Sequence, residues 1–394
     1  MPTSARGTRV LVVSGSAGHG HTMAGEALEA AFRLHPAPVT VEHWDAVEGM
    51  TRIYAHTYRR GYVRLVDRHP LLWRFVYERT DRDVSPVTNA LTRLAARAFV
   101  DKVIAWKPDA IVCTHFLAPE IFQEPIARKR LDARLHAVVT DHDVHRIWYW
   151  PAVSRYHVAS ELVAARLMLR YGVPQERVQV SGIPIRPQFL EPVDVAAVRA
   201  QWSLDAARPV VLFLSGGFAA GDLRQAIHGL WLERRDAQVI AVCGRNERLR
   251  RRVESVPRPS GAVLHALPFV RDVASLMAVA DVVVAKSGGI TTSECMAVGK
   301  PMVINASIAG QEERNALAVV EAGAGAFAPT VEEVRWRLGR LLADDGARRA
   351  MAAKARAFGR PDAAREIVQD VLGAVGRHVP QAGPWFHGAP RARS

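Results

Sequence analysis

Cysteine is nearly missing from this 394-residue chain, and so are long apolar runs and an acidic balance. The three cysteines, Cys113, Cys243 and Cys295, stand far apart with no C-x-x-C pair. They offer neither a disulfide framework nor a cysteine set for zinc, which fits a reducing cytoplasm. No stretch approaches the roughly 20 apolar residues that a bilayer-spanning helix needs. Behind Arg6 and Arg9, the apolar run at 10–13 is far too short for a secretion signal. Any membrane contact is therefore expected to be peripheral. Acidic residues number 39 against 52 Lys and Arg, a formal charge of +13. That favours a polyanionic contact: nucleic acid, anionic lipid or a phosphorylated substrate. Hydrophobic residues at 49% and charged ones at 23% exclude a disordered chain, and the length predicts two domains.

What is present is alternation. Apolar runs read as strands at 10–13, 39–43, 110–113, 136–140 and 156–159, with helices at 23–32 and 161–171 and largely helical sequence over 50–105. The pattern restarts beyond Ser181-Gly-Ile-Pro-Ile-Arg-Pro187. Strands are expected at 209–214, 238–243, 262–265, 281–285 and from 303, a connecting helix at 191–202, and helices at 329–343, 347–358 and 362–375. Such alternation predicts an α/β chain with a parallel, doubly wound sheet in each half. The expected divisions are a domain at 1–183, a linker at 184–205, a second domain at 206–360, a closing helix at 361–377 that returns to the first domain, and a Pro/Gly/Arg-rich tail at 378–394 expected to be disordered.

The densest chemistry runs from Asp281 through Lys286-Ser-Gly-Gly-Ile-Thr-Thr-Ser-Glu294 to Gly310-Gln-Glu-Glu-Arg-Asn315. A buried strand, a Gly-Gly turn and a helix N-terminus present free amides and a partial positive charge, the chemistry of a phosphate cradle. Glu294, one turn into that helix, is placed to accept hydrogen bonds from a sugar diol. Ser287, Gly288, Gly289 and Thr291 would line the cradle.

Gly15-Ser-Ala-Gly-His-Gly-His21 joins the first strand to the first helix and sets an imidazole at a helix start, where the neutral, basic form is favoured. Both His19 and His21 satisfy that reading. Asp141-His-Asp143 has the D-x-D spacing of a metal site. Over 50–82, aromatic residues interleave with arginines, and Tyr54, Tyr58 and Tyr62 share one helical face, with Trp73 further on. An anionic membrane surface, single-stranded nucleic acid and ordinary core packing all suit that pattern.

Taken together, these blocks resemble the monogalactosyldiacylglycerol synthase and processive diacylglycerol glucosyltransferase family, over roughly residues 10–375. The resemblance implies a GT-B fold: two Rossmann-like domains facing across a cleft. It implies His21 as the base for the acceptor hydroxyl, since Gly20-His21 and Gly25-Glu-Ala-Leu28 match the family's glycine-rich motif. Thr140, Asp141, His145 and Trp148 match its next motif, with His145 as an acceptor-side or leaving-group contact and Asp141 as its orienting partner. By the same resemblance Gly216 and Gly217 meet the donor phosphates, and Arg245, Phe269 and Val270 line the nucleotide pocket. Glu294 holds the ribose, and Gln311 and Glu312 contact the sugar. Because GT-B enzymes stabilise a leaving diphosphate with backbone dipoles and basic groups, the D-x-D spacing is read without a metal, and no cofactor is expected. The arginines at 248 and 250–252 read as a solvated helix face.

The implied reaction is an inverting transfer of a hexose, glucose ahead of galactose, from a UDP-sugar to diacylglycerol. It would take place at an anionic membrane, on the inner face of the cell membrane and without nucleic acid. The alternatives are a UDP-N-acetylglucosamine transferase acting on a polyprenyl-linked acceptor, a UDP-sugar epimerase of the same fold, and a non-catalytic nucleotide-sugar sensor. Nothing in the sequence sets an oligomeric state.

Overall fold

The computed structural model describes residues 7–16, 19–57, 70–81, 86–217, 220–306, 308 and 310–375. Among these, twelve strands form two parallel six-stranded sheets, each in its own compact unit. The first unit holds β1 (Thr8–Ser14), β2 (Val39–Asp45), β3 (Ala110–Cys113), β4 (Arg134–Val138), β5 (Arg155–Val158) and β6 (Val178–Val180). In β1, Val10, Leu11, Val12 and Val13 are all fully buried, with no alternation, because helices cover both faces of a parallel sheet.

The last helix, Ala363–Ala374, belongs to this unit. Its stripe of Ile367, Val368, Val371 and Leu372 packs in one core with Val10, Val12, Leu28 and Phe32. Each such side chain contributes about 1.5–3 kcal/mol by leaving water.

The second unit holds β7 (Val210–Leu214), β8 (Gln238–Val242), β9 (Leu264–Leu267), β10 (Val282–Ala285), β11 (Met302–Ile304) and β12 (Gly325–Phe327). Its core gathers Phe213, Ile227, Leu230, Val239 and Val284 with Leu338 and Leu342 of the helix Val331–Ala343. That helix starts at a full capping box, Thr330 with Glu333.

Sheet order is what locates function. The first sheet runs β2-β1-β3-β4-β5-β6 and the second β12-β11-β10-β7-β8-β9. In each, the winding direction reverses once, between β1 and β3 and between β7 and β10. Loops leaving the carboxyl ends of strands on either side of such a reversal splay apart and open a crevice. The four loops so identified begin at Gly15, Thr114, Ser215 and Lys286.

Some expectations shift. The stretch at 50–105 contains the helices Pro70–Thr80, Pro86–Ala95 and Arg97–Trp106. The connecting helix begins only at Val195, where the Asp194 carboxylate caps the Ala197 amide. Strands β6 and β12 were not foreseen. The tail at 378–394 lies outside the described residues.

Candidate active site

His21 is the third residue of the helix His19–Leu34, directly after the β1 loop. Its Nδ1 lies 2.8 Å from the Thr114 carbonyl and 2.9 Å from Thr140 Oγ1, and Thr114 Oγ1 donates back to the His21 carbonyl at 2.8 Å. A carbonyl only accepts, so Nδ1 carries the proton and Nε2 keeps the lone pair. Among the described residues Nε2 has no hydrogen-bond partner. Burial pushes the imidazole pKa down to about 4, against a smaller opposing pull from the Thr114 bond. At neutral pH the ring is therefore an uncharged base with one nitrogen anchored. His19, exposed at the start of the helix, has no such anchor.

Thr114 and His115 were not singled out in the sequence, and Thr140 was named only as part of a motif. The His115 ring meets His21 edge-on at 4.5 Å between centroids and stacks on Phe116. Its Nδ1 accepts from the Leu117 amide, while its Nε2 is buried without a partner among the described residues. Burial first, and then the neighbouring His21, hold its pKa well below the ordinary value. The need for glycine at position 15 follows, since a Cβ there would sit 2.7 Å from the His115 ring. A signal was available: Thr114-His115 directly follows β3, on the far side of the reversal from the loop that carries His21.

Several assignments are corrected. His145 is buried, with its Nε2–H donating to the Tyr77 carbonyl at 2.8 Å and its Nδ1 accepting from the Ile147 amide at 3.2 Å. Both nitrogens serve the fold, so the ring is a strut and not a substrate contact. The Asp81 carboxylate lies 3.9 Å from its Nε2. Asp143 is ion-paired to Arg166, which takes one end of the D-x-D spacing.

Trp148 is 4% exposed and packs against Phe116, so it offers no surface to a membrane. Tyr54 is half-buried, its hydroxyl 2.8 Å from Thr92 Oγ1. Tyr58 and Tyr62 lie outside the described residues, as does the side chain of Trp73. Among the described residues, exposed apolar side chains of this region include Ile53, Phe75 and one face of the helix Pro86–Ala95. There Val87, Leu91 and Leu94 are 69%, 58% and 68% exposed, while the polar Thr92 is 1% exposed.

In the second unit the crevice is a cradle of backbone. Gly288 is the N-cap of the helix Gly289–Ala297, with no side chain capping it. The first helical bond runs from the Thr292 amide to the Gly288 carbonyl, so the amides of Gly289, Ile290 and Thr291 precede it. Glycine at 15 is demanded by packing, but glycine at 216 and 288 is not. Among the described residues other than its chain neighbours, a Cβ on Gly216 would come no closer than 3.6 Å to any atom, and one on Gly288 no closer than 3.8 Å. Both distances are ordinary contacts, and Gly288 has φ −64°, open to any residue. The atoms that such a Cβ would meet belong mainly to Lys286, a cation the sequence reading left unassigned.

Lys286 Nζ donates to Glu312 Oε1 at 2.6 Å, so Glu312 is a buried carboxylate already paired with this lysine. Ser287 is a second strut: its hydroxyl donates to the Glu312 carbonyl at 2.7 Å, and its own carbonyl accepts from Asn315 Nδ2 at 2.9 Å. Gln311 opens the helix Gln311–Glu321 with its Oε1 buried and, among the described residues, without a hydrogen-bond partner. Glu294 is buried in the helix behind the cradle. From the ends of the adjacent strands β8 and β9, Arg245 lies 5.9 Å from the centre of the exposed Phe269 ring, with Val270 half-buried beside it. Gly217 closes the short turn after β7. Arg250 and Arg251 are ion-paired to Glu247 and Arg250 also to Glu254, as a solvated helix face requires.

Comparison with known proteins matches both units. The sequence profile described as monogalactosyldiacylglycerol (MGDG) synthase matches residues 21–185, beginning at His21. The profile described as glycosyltransferase family 28 C-terminal domain matches residues 210–367. The chain is 26% identical over 369 residues to the processive diacylglycerol beta-glucosyltransferase of Bacillus subtilis, covering 92% of this chain and 94% of that protein. It is 28% identical over 385 residues to the chloroplastic monogalactosyldiacylglycerol synthase 1 of Arabidopsis thaliana, covering 93% and 71%. Among solved structures, the UDP-GlcNAc 2-epimerase of Neisseria meningitidis bound to UDP-GlcNAc superposes with a TM-score of 0.62 at 15% identity, covering 93% of this chain and 100% of that one. That likeness is one of fold, and the fold is the GT-B type that glycosyltransferases and such epimerases share.

Proposed function

We propose that this chain, which belongs to the monogalactosyldiacylglycerol synthase and processive diacylglycerol glucosyltransferase family, transfers a hexose from a UDP-sugar to diacylglycerol. The observation that carries the reading is His21, a neutral imidazole whose Nδ1 is held by Thr114 and Thr140 and whose Nε2 is left to take a proton. In this reaction Nε2 removes the proton of the diacylglycerol hydroxyl. The oxygen attacks the anomeric carbon from the face opposite UDP, and the bond to the diphosphate breaks with its electron pair leaving on UDP. Attack from the opposite face inverts the centre and gives a β-glycoside.

In the second unit, the amides at Gly289–Thr291 and the Lys286 ammonium stabilise the charge that develops on the diphosphate, a role for preorganised dipoles and a cation. Phe269 with Arg245 receives the base, and Gln311 and Glu312 receive the hexose. Glucose is the preferred donor.

The test is product analysis. Purified protein is incubated with UDP-glucose or UDP-galactose and vesicles of diacylglycerol with anionic lipid, and the lipid extract is read by mass spectrometry. A hexosyl-diacylglycerol is expected, with more from UDP-glucose. UDP release without a glycolipid would point to another acceptor, and a free altered sugar to an epimerase.

The same reading gives the Pro86–Ala95 helix a role as the membrane-facing surface. Val87, Leu91 and Leu94 would enter the interface, each buried leucine contributing about 1.5–3 kcal/mol. Leu91→Asp with Leu94→Asp is expected to weaken binding to anionic vesicles by about tenfold or more in a flotation assay. UDP affinity should stay unchanged. Undiminished flotation would remove this helix from the membrane face.

A further inference from the structure

Away from the crevice, three side chains of the first unit converge on one point. His136 lies on β4 and His157 on β5. The register pairs His136 with Arg155, so His136, Arg155 and His157 all project from the same face of the sheet. Asp370 reaches that face from the helix Ala363–Ala374. His136 Nδ1 and His157 Nε2 are 3.2 Å apart, and Asp370 Oδ2 lies 3.9 Å and 3.5 Å from them. Both imidazoles are fully buried.

As a purely hydrogen-bonded array this triangle does not balance. The two rings share one proton along the 3.2 Å contact, which leaves Asp370 Oδ2 buried with no donor. Turning the second ring's N–H inward would aim two protons at each other across that 3.2 Å contact. The Arg155 guanidinium donates to the other oxygen, Asp370 Oδ1, at 2.9 Å.

A cation bound by all three atoms removes the imbalance. Ligands about 2.0–2.1 Å from a tetrahedral zinc are separated by roughly 3.3–3.4 Å, and the three separations here bracket that value. Two imidazoles and one carboxylate form a donor set suited to zinc or its cobalt analogue, and unlike the all-oxygen sets of magnesium or calcium. Arg155 on Oδ1 orients the carboxylate as outer-sphere partners do. The outer ring nitrogens, His136 Nε2 and His157 Nδ1, lack such partners among the described residues, which lowers the expected affinity relative to fully supported sites.

We propose that His136 Nδ1, His157 Nε2 and Asp370 Oδ2 form a structural site for a divalent transition-metal ion of the zinc type. The ion ties the last helix to strands β4 and β5. It links residues more than two hundred positions apart in sequence, and it adds to the apolar stripe of Ile367, Val368, Val371 and Leu372 that already packs that helix. It plays no part in glycosyl transfer, which is read here without a metal.

The test uses the full chain, stripped of metal with dipicolinate and titrated with Co2+ and then Zn2+. The wild-type protein is expected to bind one equivalent of Co2+ with the intense visible bands of a tetrahedral ion, displaced by Zn2+, and to melt at a higher temperature when zinc-loaded. Asp370→Asn, nearly isosteric, should weaken binding at least tenfold and abolish the thermal shift. His21→Ala should bind metal as the wild type does. X-ray absorption of the zinc-loaded wild type, which needs no variant to fold, should show two imidazoles in the first shell. Absence of Co2+ uptake, equal uptake by Asp370→Asn, or a first shell without two imidazoles would each overturn the assignment.

Discussion

Replacing His21 with alanine is expected to lower turnover by about 100-fold or more, the usual scale for removing a general base, while leaving UDP affinity unchanged. The split follows from the structure: His21 lies in the first unit, and every group assigned to the nucleotide lies in the second. His21→Gln sharpens the result, because its amide can still donate to the Thr114 carbonyl but has no base to offer. A loss shared by both variants assigns the effect to proton transfer and not to the anchoring bond. His19→Ala should change little, since that ring has no anchor at the strand ends.

The pH dependence is a second readout of the same residue. Burial lowers the His21 pKa to about 4, so the acid limb of kcat/KM should fall near pH 4, well below the ordinary histidine value near 6.5. Stability moves with it. The unfolded chain takes up this proton first as pH drops below about 6.5, so the contribution of neutral His21 is complete above that pH and is lost progressively down to about 4. The limb is therefore read on protein shown to be folded by circular dichroism. Full activity of His21→Ala, or an acid limb near 6.5, would move the base elsewhere.

How much of this was legible in the sequence depended on whether a pattern had one reading. Buried strands such as β1, β3 and β10 stood out because a parallel sheet makes them continuously apolar, and the helix Glu161–Tyr171 was bounded by its own Gly172, which adopts φ 69°. Strands β6 and β12 were not visible. Each is three residues long at the edge of its sheet, too short for a period to show.

Of the aromatic and basic stretch at 50–82, residues 58–69 and 82 lie outside the described residues, and in the rest Phe75 is exposed while Tyr54 is half-buried. Periodicity gives the faces of a helix but not which one points inward. The Pro86–Ala95 helix is turned with Thr92 in and Leu91 out, while Tyr54, expected outside, bonds to that same threonine. At the site, a single motif suggested His21, but its partners Thr114 and Thr140 come from β3 and the segment after β4. Only the strand order brings those segments beside the β1 loop.

Gly288→Val is expected to weaken UDP binding by about 100-fold while leaving the melting temperature almost unchanged. A glycine is normally retained either because the backbone needs a left-handed conformation or because a neighbour fills the space of a Cβ. Neither holds at 288: φ is −64° and the nearest protein atoms to a Cβ would be 3.8 Å away. What remains is an approach from outside the protein, a ligand lying against the backbone of a helix N-terminus whose amides have no side-chain cap. Valine would put its methyl groups where the proposed diphosphate would lie, against those amides and beside the Lys286 side chain. Gly25→Val makes the contrast. There a Cβ would lie 2.5 Å from the His43 ring, so the fold itself should suffer. Calorimetric titration with UDP and thermal melting of both variants separate the two kinds of glycine. If Gly288→Val binds UDP as tightly as the wild type, the cradle is not the phosphate site and the diphosphate must be held elsewhere in the second unit.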